Sequence, residues 1–138
     1  MAAIYETKMC LRFFGDDLDP DEITARLGRH PSVGMKKGGT WITKSGTEKV
    51  ARTGSWRLKA ADRQPGDFDN QIAQILEGLS NDLAVWDDLT TRFNADVFCG
   101  VFMKKSNEGL SLSAKSMLDL GARRLSLDFD VYDPGTPD

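Results

Sequence analysis

The chain has 138 residues, 40% of them hydrophobic and 28% charged, and its 18 basic and 21 acidic side chains leave a net charge of −3. That length and composition suit one domain with its own core and exclude a disordered chain. The apolar runs end after a handful of residues, far short of the roughly 20 that cross a bilayer, and Glu6, Lys8 and Arg12 interrupt the start, so neither a membrane span nor a signal peptide is expected.

The first element is a strand. Tyr5, Thr7, Met9, Leu11 and Phe13 alternate with Glu6, Lys8, Cys10 and Arg12, the period of two of a half-buried strand. Gly15-Asp16-Asp17 ends it. Asp19, Pro20 and Glu22 then stand in the order of an N-cap, a first-turn proline and a capping-box acid, which predicts a short helix to about Leu27 stopped by Gly28. Residues 28–40, rich in glycine and lysine, read as an irregular connection. Trp41-Ile42-Thr43 and Gly54–Leu58 read as two short strands, with Lys44–Thr53 as the hairpin turn between them.

Asp67 is a plausible N-cap for a second helical stretch. Phe68, Ile72, Ile75, Leu76 and Leu79, then Leu83, Trp86, Leu89 and Phe93, keep helical spacing, so Asp67–Phe93 is helical with a break near Ser80. Asp96–Met103 is apolar on both phases and predicts a strand covered above and below. Asn107-Glu108-Gly109 predicts a turn and Leu110–Leu112 a short returning strand. Ser113 caps a small helix ended by Gly121. Leu125, Leu127, Phe129 and Val131 then alternate with Ser126, Asp128 and Asp130 as a last strand with an acidic face, and residues 134–138 form a frayed tail. The order β-α-β-β-α-β-β-α-β predicts an α+β fold: a mixed, largely antiparallel sheet with helices packed against it. Phe13, Trp56, Trp86, Phe102 and Phe129 are expected to share one core cluster.

Several of these strings occur together in one family. Phe13–Thr24 (FFGDDLDPDEIT), Leu27-Gly28 with Pro31-Ser32, Arg52–Trp56 (RTGSW) and Gly109–Asp133 resemble, in the same order, the motifs of the bacterial family known as DUF4279, a domain of unknown function. The resemblance covers about residues 7–133 within a single domain spanning 1–138. It implies a small bacterial, cytoplasmic protein and carries no catalytic residues with it.

The charges are segregated along the chain. Lys36–Arg63 holds eight bases and two acids, whereas Gln64 onward holds 13 acids and six bases. An acidic total argues against a generic nucleic-acid binder, which needs a positive field. The basic stretch nevertheless interleaves Trp41 and Trp56 with Arg52 and Arg57, and its residues Lys36, Lys37, Trp41, Arg52, Trp56 and Arg57 are the candidate binding residues. The competing reading makes both tryptophans core and the cations a solvated face.

The rest of the chain offers little chemistry. Asp16, Asp17, Asp19, Asp21 and Glu22 fit a helix start better than a cation loop, which leaves Asp16 and Asp17 as the remaining metal candidates. Cys10 and Cys99, with the single His30, lack zinc spacing and read as reduced thiols. His30 could serve as a base oriented by Asp16 or Asp17 only if the fold joins them. No nucleophile elbow, Walker loop or dinucleotide fingerprint is present, so neither a catalytic site nor a cofactor is expected. The expected function is a non-catalytic protein-interaction protein with an acidic partner, an immunity or antitoxin-like pair being one version. The alternative is a module for a small anionic ligand or nucleic acid, with nucleic acid the less favoured and no membrane partner.

Overall fold

Alternating polarity gives the first long segment one dry face. In the computed structural model, which describes residues 2–134, the two-residue strand β1 (Ala2–Ala3) precedes the ten-residue strand β2 (Glu6–Gly15). Thr7, Met9, Leu11 and Phe13 are buried and the residues between them face the other way. Asp19 caps helix α1 (Pro20–Leu27): its carboxylate accepts the Asp21 N–H at 3.0 Å, and Gly28 closes the helix at φ 88°. The capping box does not form. Glu22 is taken instead by Arg92, whose guanidinium donates to both carboxylate oxygens at 2.8 and 2.9 Å, a bidentate charged pair that outcompetes a single backbone contact.

The region 28–60 departs most from the expectation. The glycine-rich connection contains a strand, β3 (Val33–Met35). The hairpin expected between Trp41 and Trp56 is two structures: β4 (Thr40–Ile42) pairs with β5 (Glu48–Val50) as a separate ribbon, while β6 (Gly54–Lys59) joins the main sheet. Burial explains the split. Trp56 and Leu58 present an apolar phase that matches Phe13 and Leu11 opposite them, whereas every residue of β4 and β5 is exposed and offers the core nothing.

Asp67 and Asp82 cap α2 (Phe68–Leu76) and α3 (Leu83–Arg92), so the break near Ser80 lies where the helical pattern lapses. Next come β7 (Asn94–Phe102), β8 (Glu108–Gly109), α4 (Ala114–Ala122, capped by Ser113) and β9 (Ser126–Tyr132). The strand expected at Leu110–Leu112 is replaced by the shorter β8, which pairs parallel with β1. Nor does Gly121 end α4. The left-handed residue is Arg124 (φ 58°), with the Leu125 N–H returning to the Leu120 carbonyl at 3.0 Å and the Arg124 N–H to Gly121 at 3.0 Å, a Schellman closure. Residues 135–138 of the expected tail lie outside the described residues.

The fold is α+β. The main sheet has the order β3-β6-β2-β7-β9, antiparallel except for the parallel β7–β9 pair. Helices α1, α2 and α3 pack on the face carrying Met9, Leu11, Phe13, Trp56, Leu58, Val97 and Cys99, and α4 packs on α2. A satisfied polar clamp ties α2 to β2: the Thr7 hydroxyl donates to Gln71 Oε1 at 2.7 Å, and Gln71 Nε2 donates back to the Thr7 carbonyl at 2.8 Å. Among the described residues, the opposite face of the sheet carries no helix.

That asymmetry divides the expected aromatic cluster. Phe13 packs edge-on to Trp56 (5.8 Å between centroids) and against Trp86 (6.2 Å). Phe102 lies instead on the uncovered face, stacked on Tyr132 at 4.7 Å, and Phe129 is 48% exposed on the edge strand, touching only Phe68 among the rings at 5.6 Å. Strand β7 is therefore covered on one side only; Phe98 and Phe102 are shielded by neighbouring cations and rings rather than by a helix. Cys10 and Cys99 stand on adjacent strands but on opposite faces, so both remain free thiols.

Candidate functional site

Register places one cationic and aromatic set on the uncovered face. Lys8, Cys10, Arg12 and Phe14 of β2 share it with Arg57 and Lys59 of β6, and with Phe98 and Phe102 of β7. The Arg12 guanidinium sits 4.4 Å from the Phe98 ring centre and 5.2 Å from that of Phe14, and the Arg57 guanidinium also lies 5.2 Å from the Phe14 ring centre. Lys8 lies 5.6 Å from the Phe102 ring and pairs with Asp62 at 3.3 Å.

Two adjoining concavities mark this face. One of about 520 Å³ runs between the sheet and the β4–β5 ribbon, lined by Phe14, Val33, Met35, Trp41, Arg52 and Arg57 among others. The second, about 410 Å³, is lined by Lys8, Cys10, Arg12, Lys59, Phe98, Phe102 and Tyr132 among others, and Arg57 borders both. Among the described residues, no carboxylate pairs with Arg52, Arg57 or Lys59.

The acidic side of the same face lies toward β9. Arg12 clamps Asp96 with two hydrogen bonds of 2.8 and 2.6 Å. Burial works against ionisation of Asp96, yet hydrogen bonds with Arg12 and Asp128 outweigh it and hold the carboxyl below the usual aspartate range. The hydrogen bond to Asp96 pushes Asp128 the other way, above that range. Burial raises the Cys10 thiol, with Arg57, Lys59 and Arg12 partly opposing, and burial pushes Cys99 up to about 12. Neither cysteine is an activated nucleophile.

A family model described as a domain of unknown function, DUF4279, matches residues 5–134. The chain belongs to the DUF4279 family. No curated protein and no solved structure matches it.

The sequence-predicted residues of this DUF4279 domain divide into three groups. Trp41, Arg52 and Arg57 converge on the ribbon groove, with Trp41 44% exposed rather than buried. Trp56 cannot join them: it is 0% exposed on the helix side, and its indole N–H donates to the Thr24 hydroxyl at 3.1 Å. Lys36 and Lys37 lie apart, near the acidic turn, where they pair with Asp19 at 3.5 Å and Asp16 at 3.3 Å.

The other candidates gain no site. Hydrogen bonds with Thr53 and Lys37 hold Asp16 below its ordinary value, and among the described residues no three His, Cys, Asp or Glu side chains gather to hold a metal. His30 is exposed, and no hydrogen bond joins it to Asp16 or Asp17 among the described residues. Sequence reasoning missed Lys8, Arg12, Phe14, Lys59, Phe98, Phe102 and Tyr132. The available signal was phase, because the cations of β2 and β6 occupy the non-core positions of strands that pair with each other.

Proposed function

We propose that this DUF4279 domain is a non-catalytic binding protein that seats an acidic segment of a partner protein on the uncovered face of its sheet. One observation supports this reading most: among the described residues, Arg52, Arg57 and Lys59 stand without carboxylate partners around apolar, aromatic-lined grooves. Exposed aromatics beside arginine form the composition of an interface hot spot, and unpaired cations steer an acidic partner toward it. Trp41 on the ribbon supplies a rigid anchor on the far wall. The absence of a helix on this face leaves it open for a partner to cover.

Membership of DUF4279 supports a bacterial source. Free thiols and a structure in which no described helix is long and apolar enough to cross a membrane support a cytoplasmic site of action. A small anionic ligand is the second reading, favoured by the 520 Å³ of the ribbon groove, within the size of small-molecule sites.

The test compares the unaltered chain with a variant carrying Arg52→Glu, Arg57→Glu and Lys59→Glu as bait in extracts of the native cells. The proposal expects an acidic protein that the unaltered chain retains, that the variant loses, and that is retained at lower yield as salt rises. A protein retained equally by both baits overturns it. A thermal shift with nucleotides or sugar phosphates that vanishes in the variant, with no retained protein, decides for the ligand reading.

A further inference from the structure

The outer edge of β9 meets different chemistry. This seven-residue strand has β7 as its single ladder neighbour, a ladder that the Tyr132 carbonyl extends by accepting the N–H of Met103 just past the end of β7, and its outward backbone groups take no bond among the described residues. Edge strands of this length are normally blunted by charges, proline or a bulge; β9 has no lysine, proline or bulge, and its charges are Asp128 and Asp130, both acidic. The opposite edge, β3, is three residues long and is followed by Lys36 and Lys37. On the helix side, β9 leaves Phe129 48% and Val131 62% exposed; on the uncovered side it presents Asp128 and Asp130.

We propose that β9 is a strand-addition site for a partner segment that alternates basic and apolar residues. Its backbone would extend the ladder, its apolar positions would lie against Phe129 and Val131, and its lysines or arginines against Asp128 and Asp130. A second copy of this chain fits poorly. Antiparallel pairing centred on Phe129 sets Asp128 opposite Asp130 of the other copy, like charge against like. The edge lies at the far end of the strand order from the ribbon groove, while Tyr132 at its end also lines the second groove and Asp128 shares the uncovered face.

The probe is a labelled seven-residue peptide alternating lysine and valine, acetylated and amidated, titrated against the full chain by fluorescence anisotropy. Two control peptides alternate glutamate with valine, or carry the same lysines and valines in two blocks. The alternating lysine peptide should bind saturably, with both controls weaker by about tenfold or more. Its binding should slow amide exchange within Ser126–Tyr132, persist in Arg57→Glu, and fall by about tenfold or more when Asp128 and Asp130 are both changed to Lys. Equal binding of the three peptides, or no binding by any, overturns the proposal, as does dimerisation of the free chain through β9. The peptide comparison uses the unaltered protein, so it decides even if the doubly substituted variant fails to fold.

Discussion

Trp56 and Phe102 lie on opposite faces of one sheet, and that placement sets their energetic weight. Trp56 is enclosed by Phe13, the Thr24 hydroxyl and the helix layer, so truncation removes a full aromatic volume from a site that cannot collapse. Phe102 is half-buried, stacked on Tyr132 with its ring edge over Gly100 and a lysine nearby, and among the described residues no helix covers it. Trp56→Ala should therefore cost about 3–5 kcal/mol, whereas Phe102→Ala should cost about 1 kcal/mol, the order of one stacking contact. Urea unfolding of the two variants checks this; equal losses would mean that Phe102 is covered after all. Arg12 makes the same point without truncation: its guanidinium lies beside two rings while Asp96 holds it with two hydrogen bonds.

The strands β2, β7 and β9 are joined across the uncovered face by Arg12, Asp96 and Asp128, and the two carboxyls respond to pH with opposite signs. Asp96 titrates below its unfolded value, near 3.9 for a free aspartate, so its stabilisation is present above that value and disappears as pH falls through the lower folded one. Asp128 titrates above its unfolded value, so its contribution is complete below that value and disappears as pH rises through the raised folded one. Above its raised folded value Asp128 is ionised against a neighbouring carboxylate. Asp128→Asn should raise stability at pH above the raised Asp128 value, with the gap closing as pH falls through it, where the native side chain is protonated and donates like the amide. Urea midpoints across a pH series measure this, and a gap independent of pH would show that the two carboxyls do not interact. The pair of helices α1 and α3 is linked in a comparable way, since Arg92 and Arg26 gather Glu22 and Asp88 between them.

Across the whole molecule, one helix layer covers one sheet face and the ribbon stands outside both. Because β4 and β5 bury nothing, replacing residues 40–50 by a short glycine-serine link should leave the cooperative unfolding transition nearly unchanged while abolishing partner capture at the ribbon groove. Thermal melting and the capture experiment test both halves; a collapsed transition would make the ribbon part of the core. The sequence by itself determined the elements whose signals are local. Asp19-Pro20 and Gly28 start and stop α1, the lapse near Ser80 separates α2 from α3, and alternation defines β2, β6 and β9. It also marked Trp41, Arg52 and Arg57, because cations interleaved with aromatics form a local pattern. Only the tertiary structure decided which face of β7 is dry, that Trp41 is exposed while Trp56 is buried, and that Glu22 serves Arg92 rather than its own cap. Each of these depends on a partner distant in the chain: periodicity records that a side chain needs cover, but whether a helix, a ring or a guanidinium provides it is set by which strands pair and which side the helices take.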